Sequence, residues 1–314
     1  MKIRLVVATL GMSIMTSCAH FVAGAPEGVI DVIAHRGASA YAPENTLAAF
    51  RKAHELGADW FELDCTLTKD GKIVVIHDGT LKRTTGVDKP VEALTMAELK
   101  KLDAGSWKGS RFAGEPLPSL DESLSFAKGK LGVYIEIKDS DDDKELMKQI
   151  LQRVKGIEHA DDALMAELAK LIEASGTRNL ELTRKVIKCV RSHHMGKQVV
   201  IQSFSPVVCT IVAAEAPELR NEFLGGEDKD RPGSWEEYLA YGFTIGVDGF
   251  NPNKESLNAD RLRDLHAKGK SVAVWTVDDP SDMKRFAEWG VDSIITNKPD
   301  VALGVLGRQA GSGR

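Results

Sequence analysis

Val29-Ile30-Asp31-Val32-Ile33-Ala34 reads as a buried β-strand, and it runs directly into the charged turn His35-Arg36-Gly37. A short apolar run rich in Val and Ile, bounded by polar residues, has the composition of a strand covered on both faces. Outward from it the periodicity alternates. Residues 45–56 carry Leu47, Phe50, Ala53 and His54 near one helical face, and Trp60–Leu67 alternates polar and apolar. Residues 72–76 form a short strand after an Asp70-Gly71 turn. Thr95 with Glu98, and Ser119 with Glu122, have capping-box spacing and open helices. Further strands are expected over 131–137, 198–202, 221–224, 245–250, 271–276 and 293–296, with helices between them, including 255–268 and 280–289. Repeated strand–helix alternation implies parallel strands joined by right-handed crossovers. About eight such units favour a closed (β/α)8 TIM barrel, an α/β fold, over an open sheet.

The chain has 314 residues, 41 Lys and Arg against 46 Asp and Glu, and 43% hydrophobic residues. These values suit a globular core and argue against wholesale disorder. A net charge of −5 without a basic block argues against nucleic acid as a partner, because phosphate neutralisation needs clustered cations. No apolar run reaches the roughly 18–20 residues of a spanning helix. Gly-rich nucleotide loops, C-x-x-C and H-E-x-x-H are absent from the sequence.

Lys2 and Arg4 precede an apolar stretch from Leu5 to Met15, the layout of an export signal within residues 1–25. Two processing outcomes fit. Met15-Thr16-Ser17-Cys18 is similar to a lipoprotein box, with Cys18 as the lipid anchor; Ala23-Gly24-Ala25 fits an A-x-A cleavage site. The expected location is the bacterial periplasm or a lipid-anchored envelope site, alternatively the medium, with membrane contact only through Cys18. The remaining cysteines, Cys65, Cys189 and Cys209, show no zinc or disulfide spacing. The barrel is expected over 26–305 with a flexible tail at 306–314. Residues 139–197 are longer than a barrel crossover needs and read as a helical insertion, with helices at 140–154, 161–173 and 180–193. Within it, Asp141-Asp142-Asp143 reads as a helix N-terminus, where negative charge suits the dipole, and His193-His194 as a surface pair.

Barrel enzymes place reactive side chains at the C-terminal ends of strands. Here His35-Arg36-Gly37 follows the first strand, Glu62 and Asp64 stand two apart in the second, His77-Asp78 ends the 72–76 segment, and Glu136 and Lys138 end the 131–137 strand. Residues two apart share a face of the sheet, so three carboxylates would face inward. Buried charges require pairing or a metal. Oxygen donors suit one hard divalent cation, Mg²⁺ or Ca²⁺, and not zinc.

Several segments then resemble the glycerophosphodiester phosphodiesterase family. They are Ile33-Ala34-His35-Arg36-Gly37-Ala38 with Pro43-Glu44-Asn45-Thr46, Phe61-Glu62-Leu63-Asp64, Val75-Ile76-His77-Asp78 and Leu81-Lys82-Arg83-Thr84-Thr85-Gly86. The likeness continues through Leu102-Asp103-Ala104-Gly105-Ser106-Trp107, Pro118-Ser119-Leu120 and Ile135-Glu136-Ile137-Lys138. It resumes at Gln202-Ser203-Phe204, Val274-Trp275-Thr276-Val277, Gly290-Val291-Asp292 and Thr296-Asn297-Lys298-Pro299. The resemblance implies a TIM barrel that hydrolyses a small glycerophosphodiester to glycerol 3-phosphate and an alcohol. It implies metal binding by Glu62, Asp64 and Glu136, and acid–base roles for His35 and His77. It suggests His77 as acid at the leaving alcohol and His35 as base, with the glycerol 2-hydroxyl as internal nucleophile; the residues themselves leave that division open. Arg36 and Lys138 offer charge to the phosphate, Gln202 and Trp275 lie at strand ends where substrate could bind, and Glu44 could meet the metal's water or a glycerol hydroxyl. The family usually has Asp where this chain has Asn297, so a hydrogen-bonding role survives there and an ionic one does not. The same site could serve lysophospholipids or glycerol phosphate polymers, and a noncatalytic phosphodiester-binding lipoprotein is the reading from another class.

Overall fold

Nine strands form in the computed structural model, which describes residues 28–138, 140 and 143–308. They are β1 (Asp31–Ala34), β2 (Trp60–Leu67), β3 (Ile73–Val75), β4 (Gly132–Ile137), β5 (Val199–Ser203), β6 (Arg220–Gly225), β7 (Gly249–Pro252), β8 (Ser271–Val274) and β9 (Ser293–Thr296). The sheet runs β1-β9-β8-β7-β6-β5-β4-β2, and a further β1–β2 pairing closes it. Ile33 in β1 sits opposite Ile295 in β9 on one side and Trp60 in β2 on the other. All eight of these strands are parallel, which makes a (β/α)8 TIM barrel. Ile33, Tyr134, Val200, Ala273 and Ile295 pack together with Trp60 and Trp275 in a cluster separate from the larger cores shared by strands and helices.

The local signals act as their chemistry dictates. Thr46 caps helix Leu47–Leu56, which presses Phe50 onto Phe61 of β2 with ring centroids 4.1 Å apart. Both capping boxes form, at Thr95–Glu98 and at Ser119–Glu122. Gly132 opens β4 because a Cβ there would lie 1.9 Å from the Trp60 ring.

Four departures from the sequence reading have identifiable causes. The strand expected over 245–250 begins later, at Gly249: Ile245 ends helix Ser234–Ile245, and Gly246, at φ +76°, stops it in the left-handed region. The 72–76 segment is not a barrel strand, since β3 pairs antiparallel with the protruding end of β2. Within the expected insertion, helix Arg178–Ser192 packs between Leu120–Ala127 and Pro206–Glu215 and occupies the β4–β5 crossover. The extra helices are Lys144–Val154 and Asp162–Ser175, which bury Leu146, Ile150, Val154, Leu168 and Ile172 against the outer ring. Asp141 and Asp142 lie outside the described residues. Asp143 is buried and accepts a hydrogen bond from Asn179 Nδ2 at 3.0 Å, so it ties two helices together. Finally, residues 306–308 are held down, because Arg308 makes two hydrogen bonds of 2.7 Å to the Asp59 carboxylate.

Cys65, Cys189 and Cys209 are free thiols. Among the described residues no helix is long and apolar enough to cross a membrane. Cys18 and the expected signal lie outside them.

Candidate active site

The turn after β1 takes a shape that side chains seldom adopt. Arg36 and Asn45 both have positive φ, +55° and +57°, and Gly37 stands between them at +77°. A Cβ on Gly37 would come within 2.7 Å of Ala49, so the close approach of this turn to helix Leu47–Leu56 requires glycine. Strained backbone of this kind persists where surrounding bonds over-determine it. Here the Arg36 N–H donates to Glu62 Oε2 at 2.8 Å, and the Asn45 N–H donates to the Arg36 carbonyl at 3.0 Å.

Glu62, Asp64 and Glu136 offer carboxylate oxygens that all lie within 4.8 Å of one another, and all three residues are buried. The β2–β4 register sets this, pairing Asp64 directly with Glu136. Asn45 holds Asp64 from both sides: its Nδ2 donates to Asp64 Oδ2 at 2.8 Å, and its Oδ1 accepts from the Asp64 N–H at 3.1 Å. Lys138 Nζ donates to Glu136 Oε1 at 2.7 Å and lies 3.4 Å from Asp64 Oδ1. Arg36 Nε lies 3.5 Å from Asp64 Oδ2. Two cations thus face three carboxylates.

The imbalance shows in the proton affinities. Burial first, then the charges of Asp64 and Glu136, push Glu62 well above the usual carboxylate range. Burial and Asp64 push Glu136 up to about 7. Burial opposes ionisation of Asp64 too, but Lys138 and Arg36 outweigh it and hold its pKa low. Glu62 Oε1 is buried without any hydrogen-bond partner. An orphaned carboxylate oxygen inside a net negative cluster is what a hard cation's donor set looks like, so the residues fit a divalent ion.

The two histidines are oriented differently. His77 reaches the site because β3 folds back along β2: the Ile76 N–H donates to the Asp64 carbonyl at 3.0 Å, which brings the next residue level with the carboxylates. Its Nδ1 lies 2.8 Å from Asp78 Oδ1. Arg83 donates to both oxygens of Asp78 at 2.7 and 2.9 Å, and to both oxygens of Glu44 at 2.7 and 2.8 Å. Glu44 also accepts from Arg36 Nη1 at 2.9 Å. Glu44 therefore bridges two arginines at the rim. His35 instead sets its Nδ1 2.8 Å from Asn297 Oδ1, with Nε2 4.0 Å from Glu62 Oε2. Burial, then the charge of Arg36, lowers its pKa to about 4.

Gln202 is the register neighbour of Glu136 and is buried, its Oε1 accepting from Asn251 Nδ2 at 2.7 Å. Trp275 is half-buried, its Nε1 donating to the Asn251 carbonyl at 2.6 Å and its ring edge-on to Phe204. Neither has a hydrogen bond to the carboxylates or histidines. His193 lies instead beside Cys189 and Asp121, on helices outside the barrel. Sequence reasoning gave no role to Asn45, Arg83 or Asp278. Asn45 sat in a quoted motif, while Asp278 carries no local signal, since its partners are brought to it by the barrel.

Comparison with known proteins is consistent across sequence and structure. A family model described as the glycerophosphoryl diester phosphodiesterase family matches residues 35–301. A glycerophosphodiester phosphodiesterase of Caldanaerobacter subterraneus subsp. tengcongensis is 34% identical over 276 residues, spanning 88% of this chain and 97% of that protein. One from Bacillus subtilis is 33% identical over 284 residues, spanning 88% and 86%. An Oleispira antarctica phosphodiesterase, solved in complex with the product sn-glycerol-3-phosphate, is 25% identical with a TM-score of 0.71, covering 88% of this chain and 96% of that one.

Proposed function

The chain belongs to the glycerophosphoryl diester phosphodiesterase family and is a phosphoric diester hydrolase; from that premise we propose that it splits small glycerophosphodiesters into glycerol 3-phosphate and an alcohol, with His35 and His77 as its base and acid. The observation that carries this reading is the cluster of Glu62, Asp64 and Glu136 faced by Arg36 and Lys138, with His35 held by Asn297 and His77 held by Asp78. Glu62, Asp64 and Glu136 would hold one divalent cation, Mg²⁺ or Ca²⁺ by their hard oxygen donors. When bound, that ion supplies Lewis-acid charge to a phosphoryl oxygen. Three carboxylates, two cations and a divalent ion leave one net positive charge, the complement of a phosphodiester monoanion.

Arg36 and Lys138 orient the phosphate and neutralise the charge that develops on it. Both are anchored from behind, Arg36 by Glu44 and Lys138 by Glu136, so little reorganisation is needed. His35, neutral and with its Nδ1 engaged, offers the Nε2 lone pair and takes the proton of the attacking hydroxyl, through the glycerol 2-hydroxyl as internal nucleophile. His77, held at Nδ1 by the Asp78 carboxylate, gives a proton to the leaving alkoxide. Water then opens the resulting cyclic phosphate, His77 taking the proton of the water and His35 returning its proton to the 2-oxygen, which yields glycerol 3-phosphate. Gln202 and Trp275 would line the glycerol side. Product identification on glycerophosphocholine, glycerophosphoethanolamine and glycerophosphoglycerol with defined metals tests the reading. It expects glycerol 3-phosphate from at least one, and the absence of turnover on all three refutes it.

We further propose export, with Cys18 as a lipid anchor. Labelled fatty acid should enter the wild type and not Cys18→Ala; equal or absent labelling refutes the anchor.

A further inference from the structure

Asp278 stands behind Asn297 on the side away from His35, and its bonds decide which end of the Asn297 amide the histidine meets. Asp278 Oδ2 accepts from Asn297 Nδ2 at 2.5 Å, and Oδ1 accepts from the Asn297 N–H at 2.8 Å and from Thr296 Oγ1 at 2.9 Å. A carboxylate is acceptor-only, so the NH₂ of Asn297 must face it. The amide oxygen must then face the other way, where it meets His35 Nδ1 at 2.8 Å and accepts from Ser39 Oγ at 2.6 Å. An amide oxygen cannot donate, so the His35 proton sits on Nδ1 and the Nε2 lone pair is left toward Glu62 and the site.

We infer that Asp278 is a positioning residue for the hydrolysis: through the Asn297 amide it fixes the tautomer in which His35 can act as a base. The inference rests on the His35 assignment made above and adds to it a residue that never touches substrate. Remove the carboxylate's acceptor-only character and the amide is free to turn over.

Asp278→Asn makes the test with one atom exchanged. The new side chain keeps an oxygen for the Asn297 N–H and Thr296 Oγ1, so the backbone contacts survive. Its NH₂ now faces the NH₂ of Asn297, and two donors cannot bond. Asn297 flips, and its NH₂ points at His35 Nδ1 and Ser39 Oγ. His35 must then accept at Nδ1 and carry its proton on Nε2, where the reaction needs a lone pair. Combining Asp278→Asn with Asn297→Asp restores the pattern: the amide at 278 donates to the carboxylate at 297, and that carboxylate accepts from His35 Nδ1.

Expected results are a kcat reduced by roughly 10²–10⁴ in Asp278→Asn with KM within about threefold of wild type, and recovery to within about tenfold in the double variant. Nitrogen-15 spectra of histidine-labelled, metal-free protein supply a readout independent of turnover. The His35 signals are identified by their loss in His35→Gln. The proton should be on Nδ1 in wild type and the double variant, and on Nε2 in Asp278→Asn. The inference is overturned by an Nδ1 proton in all three proteins, by wild-type kcat in Asp278→Asn, or by a double variant no more active than the single. Full activity of His35→Gln would instead overturn the base assignment itself, and the two failures are thereby told apart.

Discussion

Glu62→Gln should make the protein more stable in chelator and gain far less stability from divalent cation, a pair of effects that a structural carboxylate would not show. Glu62 is buried beside Asp64 and Glu136, and its Oε1 has no partner. In the metal-free protein its charge is poorly compensated, and burial with two like charges lifts its pKa. A glutamine keeps an oxygen for the Arg36 N–H, which Glu62 Oε2 now accepts at 2.8 Å. It also turns an NH₂ donor toward the neighbouring carboxylates. Relief of one buried like charge stabilises by about 1–3 kcal/mol. At roughly 2–4 °C per kcal/mol the chelated variant should melt several degrees above chelated wild type. Cation at 100 times its dissociation constant stabilises wild type by about 2.7 kcal/mol, roughly 5–10 °C. Should the variant bind about 100-fold more weakly, the same cation adds only about 0.4 kcal/mol, near 1 °C. Differential scanning fluorimetry with EDTA, Mg²⁺ and Ca²⁺ measures both arms. A variant that melts below wild type in EDTA and still gains the full cation shift would refute the reasoning.

Three further outcomes are expected. Chelation should abolish turnover on a glycerophosphodiester and Mg²⁺ or Ca²⁺ should restore it; undiminished activity in excess EDTA, after dialysis, counts against a metal. His77→Ala should cost about 10²–10⁴ in kcat, and Arg83→Ala, which leaves the imidazole but releases Asp78, should cost less; steady-state kinetics that show no loss for His77→Ala remove it from the mechanism. In chelated protein Glu136, raised to about 7 by burial and Asp64, binds its proton more tightly folded than unfolded. Its contribution to stability therefore falls as pH rises from about 4.5 to 7, and urea melts of wild type relative to Glu136→Gln should diverge across that window. A constant difference across those pH values would show that Glu136 is not raised.

Much of the active end was legible because its information is local. Glu62 and Asp64 lie two apart in one strand, and a strand's period places them on one face wherever the strand goes. His35-Arg36-Gly37 follows a strand directly, and the capping boxes at Thr95 and Ser119 are closed within four residues. His77 ends the 72–76 segment, which the sequence shows only as a short strand after an Asp70-Gly71 turn; it arrives by an antiparallel return on β2, and hairpin pairing is settled by what the neighbouring strand exposes. The strand expected over 245–250 starts only at Gly249 because a buried helix end and a buried strand are alike in composition, and only Gly246 separates them.

By itself, then, the sequence determined the order of strands and helices, the carboxylate pair of β2, and the charged turn after β1. These depend on residue period and on bonds between near neighbours in the chain. Tertiary structure alone decided which distant groups meet. Barrel closure sets Asn297 against His35 from 262 positions away, and Asp278 reaches Asn297 from the preceding loop. The backward fold of β3 links His77 through Asp78 and Arg83 to Glu44. Each of those bonds is between groups that no local pattern ties together, and the closed sheet supplies the geometry that makes them.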